Sequence, residues 1–216
     1  MIRAVIFDFD GVLAPTAPDH FSAWQTVLRP RGIEPDFDVM RLHEGSPAFR
    51  ILQAMAAHVG VTLDDDTAKS YTIEKNRMFV SQCRTQPFAE IPALLDLCRQ
   101  RGIKTAVATG TNLTNLQHVL GHDLSQRFQA LVYEGRYQRG KPFPDPFLTA
   151  AELLQVAASE CLVVENAPLG IEAAKAAGMV CAAVMTTLGR EHLQKADVIL
   201  TSHADLLNYL EKWTLP

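Results

Sequence analysis

Residues 2–11 read IRAVIFDFDG, and this stretch decides the fold. The run 2–8 is apolar and β-branched with little alternation. A continuous run of that length fits a strand buried on both faces, as in a parallel sheet. It ends in Asp8, Asp10 and Gly11. Ligands in open α/β sheets bind beyond the carboxyl ends of the strands, where both acids fall. Two acids spaced i, i+2 on an extended chain point to the same side. Gly11 lets the backbone turn sharply and bring N–H groups toward an anion. The bland alternative is a solvated strand-to-loop turn; the position directly after a buried first strand favours chemistry.

Working outward, similar runs recur at 104–108 (KTAVA), 130–133 (ALVY), 161–164 (CLVV), 180–184 (VCAAV) and 197–200 (DVIL). Helical patterns lie between them. Residues 89–101 close at Gly102, and 168–177 begins at Pro168 and stops at Gly178, which are helix-start and helix-stop signals. Residues 112–120, 144–155 and 203–212 also read as helices. Strands alternating with helices imply an α/β fold, a Rossmann-like doubly wound parallel sheet covered on both faces.

Residues 15–85 break the rhythm. They hold helical patterns near 18–29, 47–58 and 63–83, the last with Thr62 and Asp65 as a capping-box-like start. The expected organisation is a catalytic core formed by 1–14 and 86–216, with an α-helical cap domain inserted at 15–85. The hinges fall near 14–16 and 86–88, each with a proline.

Composition narrows the function classes. The chain has 216 residues, 48% of them apolar, so a sizeable core can form. Its formal charge is −4, from 24 acids and 20 bases, without the basic excess of a nucleic-acid binder. An anionic substrate would need a local cationic cluster or a metal. Cys83, Cys98, Cys161 and Cys181 form no CxxC pair and read as buried free thiols. The N-terminal apolar run is broken by Asp8 before a signal-peptide core can form, and no run reaches the length of a membrane span. The expectation is a soluble cytoplasmic protein, monomer or dimer being undetermined.

Further candidates stand at later strand ends. Thr109, followed by Gly110, offers a hydroxyl and backbone N–H groups to phosphate oxygens; a helix-capping threonine is the alternative. Lys141, before Pro142 in an irregular segment, can reach a phosphoryl group as a point charge; a solvent-exposed lysine is the alternative. Arg136 and Arg139 in the same segment read as solvated. Glu165 and Asn166 offer oxygen ligands to a hard cation such as magnesium, and Asn166 alternatively caps a helix.

These four elements, Asp8-Phe9-Asp10-Gly11, Thr109, Lys141-Pro142 and Glu165-Asn166, occur in order at strand ends or in the loops after them. Together they resemble the haloacid dehalogenase superfamily of phosphatases and phosphomutases, over essentially the whole chain. KPFPDPFLTAAELL and VVENAPLGIEAAKAAGM are similar to that family's third and fourth motifs. Within it the chain looks most like the β-phosphoglucomutases, including His20 and Lys75-Asn76 in the cap.

The resemblance implies that Asp8 attacks phosphorus to give an aspartyl-phosphate and that Asp10 acts as acid and then base. It implies Mg2+ held by Asp8, the Asp10 carbonyl and Asn166, with Glu165 near its waters. Thr109 and Lys141 would hold the phosphoryl group, with Gly11 and Gly110 assisting. His20, Lys75, Asn76 and Gly45 would serve the cap's contacts with the substrate or the core site. Three departures stand out. Asn166 replaces the usual aspartate, which predicts weaker Mg2+ binding and a tighter site on Asn166→Asp. Pro15 replaces an aspartate common after the first motif. Ala48 stands near where the mutase carries an arginine for a distal phosphate, and Arg50 could substitute only if the loop shifts. The expected activity is a phosphatase acting on a small phosphorylated metabolite, with a sugar phosphate as the first candidate. A hexose-phosphate mutase is the alternative, and a catalytically weak binding protein is a third reading suggested by Asn166 alone.

Overall fold

The computed structural model describes residues 1–212. Residues 213–216, which the sequence reading assigns to the core, lie outside the described residues.

β1 (Ala4–Phe7) is buried at every position. Because strand side chains alternate, Val5 and Phe7 join one apolar layer and Ala4 and Ile6 the other. Around it lie β2 (Lys104–Ala108), β3 (Ala130–Val132), β4 (Cys161–Glu165), β5 (Val180–Val184) and β6 (Val198–Leu200). All pairs are parallel and the order is β3-β2-β1-β4-β5-β6. The chain adds β2 and β3 on one side of β1 and then crosses to β4 on the other. The crevice at the carboxyl ends of β1 and β4 is therefore the topological switch point. Helices α5 (Ile91–Gln100), α6 (Leu113–Ser125), α7 (Asp145–Leu154), α8 (Pro168–Ala176) and α9 (His203–Lys212) surround the sheet. Each fully buried large apolar side chain, such as Phe7 or Phe147, contributes roughly 1.5–3 kcal/mol. The four cysteines are buried free thiols.

The cap is helical: α1 (Ala17–Leu28), α2 (Phe37–Leu42), α3 (Ala48–His58) and α4 (Asp65–Gln82). It packs its own apolar cluster around Trp24, Leu28, Leu52 and Met55. The two connections to the core run side by side, with Phe88 N donating to Leu13 O at 2.9 Å.

Three details differ from the sequence reading. The six-residue α2 was not expected; its cap is Asp36, which accepts from Val39 N at 2.8 Å. α4 is capped by Asp64, accepting from Thr67 N at 2.8 Å, rather than by Thr62. α6 runs beyond residue 120 to Ser125, across a break at Gly121 with φ +68°. Among the described residues no helix is long and apolar enough to cross a membrane.

Candidate active site

The site begins where β1 ends. Asp8 N donates to Val164 O at 2.9 Å, extending the β1–β4 ladder. The Asp8 carboxylate accepts from Lys141 Nζ at 2.6 Å, and Lys141 also donates to Glu165 Oε1 at 2.6 Å. Lys141 follows β3 and precedes a cis peptide bond to Pro142. Far from being a solvated lysine, it is buried, with its ammonium 4.8 Å from the centre of the Phe147 ring. Burial opposes its charge, but the Asp8 and Glu165 carboxylates outweigh burial and hold its pKa above the ordinary lysine value. Burial pushes Asp8 up, and the Lys141 ammonium pulls the other way.

Glu165 is fully engaged. Its Oε1 meets Lys141, and its Oε2 accepts from the backbone N–H of Asn166 at 2.8 Å and of Ala167 at 3.1 Å. It therefore fixes Lys141 and the turn into α8. Arg139, by contrast, pairs with Asp145 at 2.9 Å at the surface, as expected of a solvated arginine.

Asp10 faces the cap. Its carboxylate accepts from Thr16 Oγ1 at 2.6 Å, from Thr111 Oγ1 at 2.5 Å and from His20 Nε2 at 3.0 Å. Burial alone would raise its pKa; His20 and the three hydrogen bonds together outweigh burial and hold the carboxyl down at about 2. Lys75 donates to His20 Nδ1 at 2.7 Å. An ammonium can only donate, so the ring proton sits on Nε2 and is given to Asp10. Burial and Lys75 lower the His20 pKa, which keeps the ring neutral. His20 stacks on Phe79, and the Lys75 ammonium lies 5.2 Å from the Trp24 ring centre. Burial brings Lys75 down to about 8.

Thr109 is buried at the end of β2 and accepts from Thr111 N at 3.0 Å, so it folds its own loop. Gly110 lies under the cap: a Cβ there would come 3.0 Å from Gly45 O and 3.1 Å from Ser46 O. Gly45, at φ +89°, lies over Lys141, whose Cδ would be 3.0 Å from a Cβ. Gly11 has φ +76°, and its N–H donates to Ala14 O at 2.8 Å. Its amide is thus committed to the turn, not to an anion as the sequence suggested. What Gly11 provides is space, since a Cβ would fall 2.1 Å from Asn166 Nδ2.

Asn166 is buried, with Nδ2 donating to Glu44 Oε2 at 3.1 Å and to Thr187 Oγ1 at 2.8 Å. Its Oδ1 is buried and has no hydrogen-bond partner among the described residues. Such an acceptor is costly unless something cationic or donating meets it. Among the described residues no three His, Cys, Asp or Glu side chains form a ready metal cage. A cation here would rely on oxygens of mixed type: the Asp8 carboxylate, the Asn166 amide oxygen and backbone carbonyls. The charges point the same way. Four carboxyl groups, those of Asp8, Asp10, Glu44 and Glu165, crowd the site, and burial with mutual repulsion pushes Asp8 and Glu44 well up; a bound cation would relieve that crowding.

Between cap and core lies a small cavity lined by Asp10, His20, Glu44, Ala48, Lys75 and Thr111 among others. Asn76 does not join His20 and Lys75 there. It turns outward along α4 and accepts from Asn115 of α6 at 3.1 Å, a cap–core contact. Arg50 is directed away as well, bonded to Gln53 at 2.8 Å and to Asp65 at 3.2 Å.

Sequence reasoning missed Thr16, Thr111, Glu44 and Thr187. Thr111 stood beside two chosen residues in TGT, and Glu44 beside Gly45. Nothing local marked Thr187.

An inserted helical cap over strand-end acids at the switch point of a parallel sheet defines an enzyme of the phosphatase and phosphomutase class. The chain belongs to the haloacid dehalogenase-like hydrolases, whose family model matches residues 2–178. It is 33% identical over 177 residues to the fructose-1-phosphate phosphatase YqaB of Escherichia coli, covering 81% of this chain and 92% of that protein. It is 32% identical over 221 residues to the beta-phosphoglucomutase of Bacillus subtilis, covering 98% and 96%. A crystal structure of beta-phosphoglucomutase from Clostridium difficile superposes with a TM-score of 0.85 at 27% identity, covering 98% of this chain and 96% of that one.

Proposed function

We propose that this chain is a Mg2+-dependent phosphatase of a small sugar phosphate, working through an aspartyl-phosphate on Asp8. The observation that carries the reading is the buried Asp8–Lys141–Glu165 triad with Asn166 next in the chain, whose buried Oδ1 has no hydrogen-bond partner among the described residues. It joins a nucleophile, a fixed positive charge and a free oxygen ligand at one strand-end crevice. The relatives whose names give phosphorylated sugars as substrates support the substrate class.

In this mechanism an Asp8 oxygen bonds to phosphorus as the bond to the leaving oxygen breaks. Lys141 balances the negative charge around the transferring group, chemistry that depends mainly on placement and electrostatics. Asp10 gives a proton to the leaving oxygen. It later takes one from the water that releases phosphate. At rest Asp10 is ionised, because His20, Thr16 and Thr111 stabilise the carboxylate. A phosphate dianion seated beside it raises its pKa by like-charge repulsion, so its acid role belongs to the substrate complex. Asp8, the Asp10 carbonyl and the amide oxygen of Asn166 would hold Mg2+. When bound, the ion offsets the repulsion between a carboxylate nucleophile and a phosphate dianion. Glu165 serves as the anchor of Lys141.

The deciding experiment is phosphate release from a panel of sugar phosphates with and without Mg2+, in the wild type and in Asp8→Asn. Mg2+-dependent release that the substitution abolishes in a folded protein is expected. Release that survives Asp8→Asn within tenfold would remove the covalent mechanism. The mutase alternative draws on the His20–Lys75 pair and the B. subtilis relative. Against it, Ala48 lines the cavity and Arg50 is bonded to Asp65 elsewhere. Adding glucose 1,6-bisphosphate to β-glucose 1-phosphate distinguishes the two, since only a mutase then accumulates glucose 6-phosphate.

A further inference from the structure

The cavity between cap and core has two unlike sides. Asp10, Gly110 and Thr111 line it from the core, and His20 with Lys75 stands beside Asp10. Trp24, Met40, Ala48 and Ile51 line it from the cap. These four belong to an apolar cluster built from cap residues alone. We propose that they form a specificity wall, and that the substrate is a sugar with a single phosphate whose far end is a methyl group, a deoxy carbon, in place of a hydroxymethyl group or a second phosphate. The inference rests on the phosphatase reading given above and names the substrate class within it.

Helix spacing builds the wall. Ala48 and Ile51 are three residues apart on α3 and share a face. Leu52 and Met55 of the same helix are fully buried in the cluster, so α3 cannot turn a polar face to the cavity without emptying the cap. Trp24 follows His20 by one turn of α1, and Met40 ends the wall from α2. The polar groups nearby are engaged at the other end. His20 spends both ring nitrogens, on Asp10 and on Lys75, and Thr111 Oγ1 donates to Asp10. Gly45 and Ser46 lie over Lys141 and Gly110, at the phosphate end. A hydroxyl pressed against carbon loses its water and gains no partner, and a phosphate does so at far greater cost. Among the described residues Lys75 is the one lysine or arginine that lines the cavity. Its ammonium is bonded to His20 at 2.7 Å, and a second phosphate would have to draw it away. Arg41 donates to Thr187 O at 3.2 Å and Arg50 pairs with Asp65 at 3.2 Å, so neither is directed to the wall.

Sugar phosphates that differ only at the end remote from the phosphate test this. The pairs are 6-deoxyglucose 1-phosphate with glucose 1-phosphate, and 5-deoxyribose 1-phosphate with ribose 1-phosphate; glucose 1,6-bisphosphate is the doubly charged comparison. With Mg2+ present, kcat/KM is measured for the wild type, A48S and I51T, beside melting curves. In the wild type the methyl-ended sugar is expected to lead by about tenfold in at least one pair, and the bisphosphate to trail glucose 1-phosphate by about a hundredfold. A48S and I51T each put a hydroxyl on the wall, and the methyl preference is expected to shrink to about twofold. A merely structural effect would lower both members of a pair alike and leave their ratio unchanged. A48S adds a single oxygen at the first turn of α3, so the ratio can be read even if I51T fails to fold. Wild-type ratios within about twofold of unity in both pairs, or ratios that A48S and I51T leave unmoved, overturn the wall. Turnover of acetyl phosphate but of no sugar phosphate in the panel also overturns it, with the phosphatase reading intact. Absence of Mg2+-dependent release from acetyl phosphate and from the whole panel overturns that reading and this inference with it.

Discussion

Lys75 donates to Nδ1 of His20 at 2.7 Å, fixing which ring nitrogen carries the proton that faces Asp10. Both residues belong to the cap, one on α4 and one on α1, whereas Asp10 belongs to the core. The protonation state of the proposed acid/base is thus set by side chains that reach it only through the tertiary packing of cap on core.

His20→Asn removes the neighbour that does most to offset the burial of Asp10. The Asp10 pKa is expected to rise from about 2 by one unit or more. Because Asp10 must be protonated in the step that kcat/KM reports, the alkaline limb of the kcat/KM profile then moves to higher pH. An alkaline limb that stays in place would show that His20 does not control Asp10.

Burial brings the folded-state pKa of Lys75 down to about 8, against the ordinary lysine value of 10.5. Between those values the unfolded chain holds the proton more tightly than the folded one. Stability contributed by this group therefore rises as pH climbs from about 8 toward 10.5. Comparing urea denaturation of the wild type and Lys75→Met at pH 7.5 and at pH 10 isolates the effect. The wild type should gain on the variant at the higher pH; a constant difference would place Lys75 in a less buried setting.

Glu165→Gln leaves the buried Lys141 with one carboxylate instead of two. Removing a partner from a buried ion pair costs about 3 kcal/mol or more. Arg29→Ala, at the exposed Arg29–Glu34 pair, should change stability little. Equal, small changes in the two denaturation midpoints would mean that Lys141 is adequately held by Asp8 alone.

Gly110→Ala puts a methyl group 3.0 Å from Gly45 O and 3.1 Å from Ser46 O. The backbone of Gly110 is not in the left-handed region, so the strain falls on the cap–core contact. The variant should keep its melting temperature within a few degrees, since one methyl costs about 1 kcal/mol when neighbours can give way. It should lose kcat/KM for a sugar phosphate more than for a small aryl phosphate. Equal losses on both substrates would argue that the seating of the cap does not select the substrate.

Much of this was legible in the chain. The uninterrupted apolar runs ending in acids, threonine or Glu-Asn declared a parallel sheet and its active edge, because strand burial and strand ends are written in adjacent residues. Asp8 and Lys141, 133 positions apart, were linked in the sequence through the family resemblance that their motifs carry. The short α2 was not legible, as a helix of six residues carries too few turns for periodicity. That Asn76 meets the core at Asn115 rather than beside Lys75 was not legible either: Lys75 faces inward, and a step of one residue on a helix turns the side chain by about 100°.

The sequence by itself determined the sheet, the inserted cap and the chemical types gathered at the strand ends, since these follow from local pattern and spacing. Tertiary structure alone decided which cap groups meet them. Thr16 and His20 on Asp10, and Glu44 on Asn166, depend on how two separately packed apolar clusters sit against each other. That seating is fixed by contacts summed over many distant residues, and no short stretch of sequence encodes it.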